Sequence, residues 1–381
     1  MNNLRWMFSV IKRAILNRNS FAILAIASAF YLAFYSWPYQ NQLILEIPTV
    51  VVDMDQSAKS REWITSIDAI PAAKVIGVTP ALDEAKAHFE KAQVDVIVVI
   101  PEGFARDTMR GKPTTITVFG NGAFPVKGRA VGSAIMQMAA QENVSLAATQ
   151  MVRQGLDPVK AKMMAILPPA FVSQDLFNPI SGYGLYTVSI VATIILQAIM
   201  LFGTIIVLGG WLKEGKGNSV INDMHNDPSK IFVLIAAFWT ISLFWGFFVE
   251  GLGLSLLDMP SFMNGAATVI SIALFTLAIV CLAVMLALLM GSNHYAATLC
   301  VIASAPCVFL TGLVFPLEQA PLWVQAIAQL IPTTPGAQAL IAASQEGATI
   351  QEILPKLTIS FGQIVVYGAI ALLLWKRRLK N

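Results

Sequence analysis

Six stretches of this chain stay apolar for long enough to cross a lipid bilayer, and no water-soluble fold accommodates all of them. A hydrocarbon core takes about 20 consecutive, mainly apolar residues in a helix. The stretches are 21–37, 183–212, 231–257, 265–290, 296–315 and 357–375, separated by polar or Pro/Gly-bearing segments. Only 12% of the residues are charged, against about 25% in a soluble domain, so much of the surface must face lipid. A cleaved signal peptide is the rival reading of 21–37. The length of that run, its aromatic end at Trp37 and the lack of a small-x-small cleavage site favour a retained helix.

The distribution of Lys and Arg sets the expected orientation. Arg5, Lys12, Arg13 and Arg18 precede the first run, and Lys376, Arg377, Arg378 and Lys380 follow the last, with no acidic residue in either group. Both termini are therefore expected in the cytoplasm, which requires an even number of spans. Six spans place the loop 211–230 inside and the segments 39–182 and 316–356 outside. Within residues 1–20, Leu4, Met7, Phe8, Ile11, Ile15 and Leu16 recur near helical spacing and basic residues occupy much of the rest. This pattern suits a cytoplasmic amphipathic helix lying on the anionic inner leaflet. An ordinary basic flank that only fixes topology fits the same residues.

The insertion after the first span has different chemistry. Between residues 42 and 182 there are 13 Lys/Arg and 14 Asp/Glu, the balance of a water-facing domain. Strands are expected at 48–55, 73–78, 94–100 and 114–119, and helices at 60–67, from residue 81, and across 131–164. Strands alternating with helices predict a small α/β domain with a largely parallel sheet. The expected fold is thus an α-helical polytopic membrane protein with six transmembrane helices and an inserted extracytoplasmic α/β domain. Its parts are an interface helix 1–20, a first span 21–38, the outer domain 39–182, and a five-helix membrane domain 183–381.

Motifs for catalysis are missing. The chain has no GxxxxGK[ST] phosphate loop, no HExxH and no nucleophile elbow, so neither a nucleotide cofactor nor a hydrolytic site is expected on it. His88, His225 and His294 lie in three separate regions, and Cys281, Cys300 and Cys307 sit in apolar runs without metal-ligand spacing. Asp53 and Asp55 close a strand where acids commonly form turns. Inside the spans, Glu250 is the exceptional group, because an ionisable side chain in lipid is a functional candidate by default; reaching the outer interface is its plainer role. Gln197 and Gln363 are expected to make interhelical hydrogen bonds.

Three strings carry a family resemblance: IPTVVVDMDQSAKSREW at 47–63, VDVIVVIPEGFARDTMRGKP at 94–113, and TGLVFPLEQAPLWVQAIAQLIPTTP at 311–335. With one span, an outer α/β insertion and five more spans, their order resembles the permease subunit of ABC-2 type exporters, in the group with a large extracytoplasmic domain. The first cytoplasmic loop, KEGKGNSVINDMHNDPSK at 213–230, keeps Glu214, Gly217 and the Asp227-Pro228-Ser229 turn but lacks the family's usual Thr and paired leucines.

The resemblance implies a homodimer in the cell inner membrane, with ATP and Mg bound by a separate P-loop ATPase subunit and a periplasmic adaptor as a further partner. It implies no nucleic acid and no enzyme activity on this chain. Efflux cargo would be amphiphilic or hydrophobic: drug-like, toxin-like or lipid-like. Glu214, Asp223 and Asp227 become the candidate docking contacts for the ATPase, with a solvated turn as the alternative. Gly312, Pro316, Pro321, Pro332 and Pro335 mark an outer re-entrant segment. Two other classes stay open: a proton-coupled secondary transporter using Glu250, and a membrane-anchored binding or adaptor protein acting through its outer domain.

Overall fold

A computed structural model describes residues 3–16, 44–110, 112–122, 124–166, 183–255, 259–291 and 306–380, with a few single positions between 26 and 37. The chain divides into two compact units, residues 41–181 and the remainder.

In the 41–181 unit, β1 (Ile47–Asp53) lies between two parallel neighbours, β2 (Ala73–Thr79) and β3 (Val96–Ile100). A short β4 (Thr117–Gly120) pairs antiparallel with β3, giving the order β2-β1-β3-β4. The sheet is therefore largely parallel, as the alternation of elements predicts. Residues 114–116 fall outside the strand, so the expected fourth strand is shorter. Helix α2 (Ala58–Asp68) and the start of the long α5 (Pro125–Arg153) cover one face, where Trp63, Ile67, Val131 and Ile135 pack on Val51, Val96 and Val98. Helix α3 (Leu82–Glu90) covers the other through Ala85, against Val50, Val52 and Ile97.

The two resembling strings of this unit meet. Asp53 Oδ1 accepts the backbone N–H groups of Asp55 and Gln56, and its Oδ2 accepts the Ser60 hydroxyl at 2.7 Å. Asp55 crosses to α4 (Phe104–Met109), an element the sequence does not announce, and accepts the Ala105 N–H at 3.1 Å. Burial works against the Asp55 charge. Hydrogen bonds from Ser57 and from the N–H groups of Ala105, Gly103 and Phe104 outweigh it and hold the carboxyl below its usual range. In open parallel sheets, ligands favour the crevice where the strand order reverses. Here the ends of β1 and β3 form that point, and Asp55 fills it.

The helical stretch expected at 131–164 is interrupted. Helix α5 ends at Arg153, Gly155 adopts φ 91, and α6 (Pro158–Ile166) starts anew with Asp157 Oδ1 accepting from Val159 and Lys160.

Among its described residues the membrane unit contains four helices long and apolar enough to span a bilayer. They are α7 (Tyr183–Glu214), α9 (Lys230–Gly246, continued by a π-helical Phe247–Gly253), α10 (Gly265–Met290) and α14 (Ile350–Lys380). The predicted first and fifth spans lie largely outside the described residues. α10 packs against α7, α9 and α14. Two approaches to α10 depend on glycine: a Cβ at Gly246 of α9 would stand 2.8 Å from Ile272, and one at Gly336, in the helix Thr333–Gln345, would stand 2.3 Å from the Phe275 ring. α14 begins before its apolar run because Glu352 accepts both the N–H and the hydroxyl of Thr349, capping its first turn.

Two amphipathic helices flank the spans. α1 (Asn3–Leu16) buries Trp6, Val10 and Ala14 against the bundle, leaves Leu4, Phe8 and Ile15 exposed, and turns Arg5 and Lys12 to a third side. α8 (Ser219–Asn226) joins α7 to α9 through a 3-10 turn at Gly215–Gly217 and buries Val220, Ile221 and Met224.

Candidate functional site

The segment after residue 306 turns back into the bundle. α11 (Cys307–Leu310) ends at a turn in which Gly312 takes φ 76, and a Cβ there would crowd Gln338 and Leu317. Pro316 precedes a 3-10 turn, Pro321 stands at the start of α12 (Leu322–Ala328), and Pro332 is the N-cap of α13 (Thr333–Gln345). Each proline sits where a missing N–H costs nothing.

The turn between α12 and α13 is deep. It meets Gln197, about 20 Å along α7 from that helix's first residue, and Gln363, about 20 Å along α14 from its own start. Gln197 stands near the middle of α7, and Gln363 lies about 9 Å into the apolar run of α14 that starts at residue 357, so both anchors sit within a hydrocarbon core about 30 Å thick. α13 then runs outward along α7, because Gln345 at its end hydrogen-bonds Ser189.

Irregular backbone at such depth needs partners within the protein, and here they can be followed group by group. Gln197 Oε1 accepts the Thr333 N–H at 2.9 Å, and Thr334 N–H donates to Ile331 O at 3.0 Å. Pro335 has no N–H, and Gly336 N–H donates to Pro332 O. The start of α13 is thus satisfied. On the acceptor side, Gln363 Nε2 donates to Gln329 O at 2.7 Å and the Tyr367 hydroxyl donates to Leu330 O. The two glutamines read from the sequence as interhelical donors and acceptors thus both meet the backbone of this turn. Tyr367 was missed, although it stands one helical turn after Gln363 on the same face of α14. Three side-chain oxygens at the turn remain buried without a partner: Gln329 Oε1, Thr333 Oγ1 and Gln363 Oε1.

Glu250 lies in the π-helical end of α9. It is 1% exposed and its Oε1 has no partner. Around it Val249 packs on Ala192, and Phe262 stacks on Phe247 while filling the space beside Gly251. π-helical turns inside α-helices concentrate at functional sites. No residue of the re-entrant turn hydrogen-bonds Glu250.

At the other end of the bundle, the three acids of the 213–230 segment have separate placements. Asp223 is engaged: its Oδ2 accepts the Trp6 indole N–H at 2.8 Å and lies 4.0 Å from Lys230 Nζ, which stands 5.4 Å over the Trp6 ring. Asp227 Oδ1 accepts the N–H and hydroxyl of Ser229, and the Ser229 hydrogen bond holds its carboxyl below the usual range. Glu214 is exposed and accepts from Asn218 Nδ2 at 2.8 Å, while Asn218 Oδ1 caps α8 through Val220 N–H. His225 meets the Trp375 ring edge-on at 5.3 Å, and Arg378 donates to Leu288 O at the end of α10. α8 is therefore a braced block, with Asn222 and Asn226 on its exposed side. Nothing local in the sequence pairs Trp6 with Asp223.

Among the described residues no group of His, Cys, Asp and Glu side chains could hold a metal ion. The side chains of Cys281 and Cys307 are buried.

Comparison with curated proteins returns no match. The family model described as ABC-2 family transporter protein matches residues 20–373, which takes in the spans, the 41–181 unit and the re-entrant turn alike. Apolar helices and family agree on a multi-pass membrane protein with a transport role, and this chain belongs to the ABC-2 family of transporter proteins as an ABC-2 type permease.

Proposed function

We propose that the chain is the membrane half of an ATP-driven exporter of the cell inner membrane, working as a homodimer on a separate P-loop ATPase that binds ATP and Mg. The observation that carries this reading is the bracing of α8. A short helix joining two spans, capped by Asn218 and clamped by α1 and the end of α14, passes a push on its exposed side to α7 and α9. Such machines relay force by rigid-body shifts between discrete packings.

Glu214, Asn222 and Asn226 form the docking side in this reading, while Asp223 and Asp227 hold the shape that docking needs. Six spans put both termini in the cytoplasm and residues 39–182 outside, where an adaptor would meet them. The re-entrant hairpin closes the outer half of the pathway against amphiphilic or hydrophobic cargo. Affinity purification in mild detergent, followed by mass spectrometry and an ATPase assay, tests this. A stoichiometric P-loop ATPase whose vanadate-sensitive turnover falls in Glu214→Lys or Asn222→Arg supports it. A clean preparation without an ATPase in several detergents overturns it.

One observation favours a second reading. A carboxyl as enclosed as Glu250, with its Oε1 unpaired and in a π-helical stretch, suits proton coupling. Loss of proton-driven export in Glu250→Gln, with no ATP requirement, would select that reading.

A further inference from the structure

The 41–181 unit contains a cavity of about 370 Å³ between its sheet and α5. The cleft is open to solvent on one side, and its volume lies in the range of small-molecule sites. Trp63 and Phe104, packed edge-to-face at 5.5 Å, form part of the wall, and Ile116, Val118 and Ile135 extend it.

Gly132 opens the α5 side. Glycine inside a helix costs about 1 kcal/mol relative to alanine, and close packing is the usual reason to keep one. None applies at Gly132: a Cβ built there meets no atom within 4 Å, unlike those at Gly120 and Gly128, each of which would press on the other's backbone. The missing side chain leaves room in the cavity. Ala139 continues that small-residue wall two turns later.

Polar groups also contribute to the lining: Thr108 Oγ1 is buried without a partner, and α5 adds Glu142 and Asn143. Glu142 binds Lys59 at 2.7 Å, but Lys59 also serves Glu62 at 3.0 Å. Lys59 is thereby divided between Glu142 on the lining and the more exposed Glu62 outside it, which leaves the Glu142 carboxylate only partly compensated.

We propose that this cavity is a binding site for a small amphiphilic amine, with its apolar body between Trp63, Phe104 and Gly132 and its ammonium at Glu142, Asn143 and Thr108. The site lies outside the membrane unit and does not depend on the exporter reading, because binding is measured without transport or ATP.

The test uses the full chain in lipid nanodiscs with [13C]methyl-methionine, the Met136 resonance being assigned by its loss in Met136→Leu. Met136 lines the cavity and is 63% exposed. 4-Phenylbutylamine, 4-phenylbutanol and 4-phenylbutyrate serve as water-soluble probes of matched body and different head. The amine is expected to shift Met136 saturably, with the alcohol weaker and the acid weakest. Gly132→Leu adds a branched apolar side chain to this wall and is expected to weaken the amine at least about tenfold. Gly132→Ala, which adds only a methyl, is expected to retain most of the binding. Three results would each overturn the proposal: no saturable shift, a shift unchanged in Gly132→Leu, or the acid binding more tightly than the amine. Probe silence combined with cross-linking between protomers through Asn143→Cys would overturn it too, by assigning this face to a second copy.

Discussion

In the 41–181 unit, the Ala105 N–H in the first turn of α4 ends on the Asp55 carboxylate; in the membrane unit, the Thr333 N–H of α13 ends on the Gln197 amide. The contrast extends further. Ser57 and Asp157 cap α2 and α6, and Asp53 closes the turn after β1. Asn264 caps α10 and Asn218 caps α8. Among the described residues, carboxylates return to the helix starts of the membrane unit near exposed ends, where Asp227 and Glu352 hold the starts of α9 and α14. Helix starts present the same orphan donors everywhere. Near water a charged acceptor gives the stronger bond, whereas deep in an apolar medium removing a charge from water costs more than the cap returns. A neutral amide accepts the same hydrogen bond without that loss.

Exchanging the two solutions should produce the largest effect. Gln197→Glu keeps the shape of the cap but adds an ionisable group at mid-depth. Its folded-state pKa should rise above the unfolded value of about 4.3. Stability should therefore stay near wild type below that value and fall as pH rises through the raised folded pKa. The alkaline loss should reach about 3 kcal/mol. Thermal unfolding of the full chain in nanodiscs between pH 4 and pH 9 reads it directly. A flat profile at wild-type stability would break the comparison, because depth would then not matter to the cap.

Next in size is packing beside the same cap. Gly336→Ala places a Cβ 2.3 Å from the Phe275 ring, and overpacking of this kind costs about 1–3 kcal/mol. Phe275→Leu should recover part of the loss in the double variant, since the two side chains share one space. An unchanged unfolding midpoint in Gly336→Ala would mean that α13 does not press on α10 as described.

Removing an acceptor-side latch should matter slightly less. Tyr367→Phe leaves Leu330 O without its hydroxyl donor, a loss of about 1 kcal/mol. Hydrogen exchange in the 329–336 backbone should speed up while α10 stays protected. Uniform acceleration across both would indicate a general destabilisation instead of a local latch.

How much of this could be read from sequence depends on whether the signal is local. The α10 boundaries were legible because an unbroken apolar run sits between Asn264, a cap, and Gly291, which takes φ 66. The first turns of α14 were not, because QEILPK reads as a polar, proline-bearing loop although Glu352 caps it. α13 escaped for a different reason: TTPGAQALIAASQ is too short and too small-residued to look like a span, yet close packing against Phe275 requires those small residues. Of the candidate residues, Gln197 and Gln363 stood out as polar groups in apolar runs, but the turn that unites them lies far away along the chain. The roles of Trp6 and Asp223 depended on a contact across 217 positions, for which one sequence gives no signal.

The smallest effect is expected from the reverse exchange in the water-facing unit. Asp55→Asn keeps an acceptor for Ala105 N–H but removes the charge that Ser57 and the three backbone N–H groups favour. The folded-state pKa of Asp55 is lowered, so its contribution is present above the unfolded value of about 4 and disappears as pH falls through the lowered value. Wild type should lose stability along that acid limb, and Asp55→Asn should lose less of it, with nearly equal midpoints well below both pKa values. Above pH 5 the variant should unfold slightly earlier, because a neutral acceptor makes a weaker cap. The amide costs little here and the carboxylate costs much at Gln197, since water still reaches the first site and not the second. Equal penalties for the two exchanges would show that local geometry alone, without depth, selects the capping side chain.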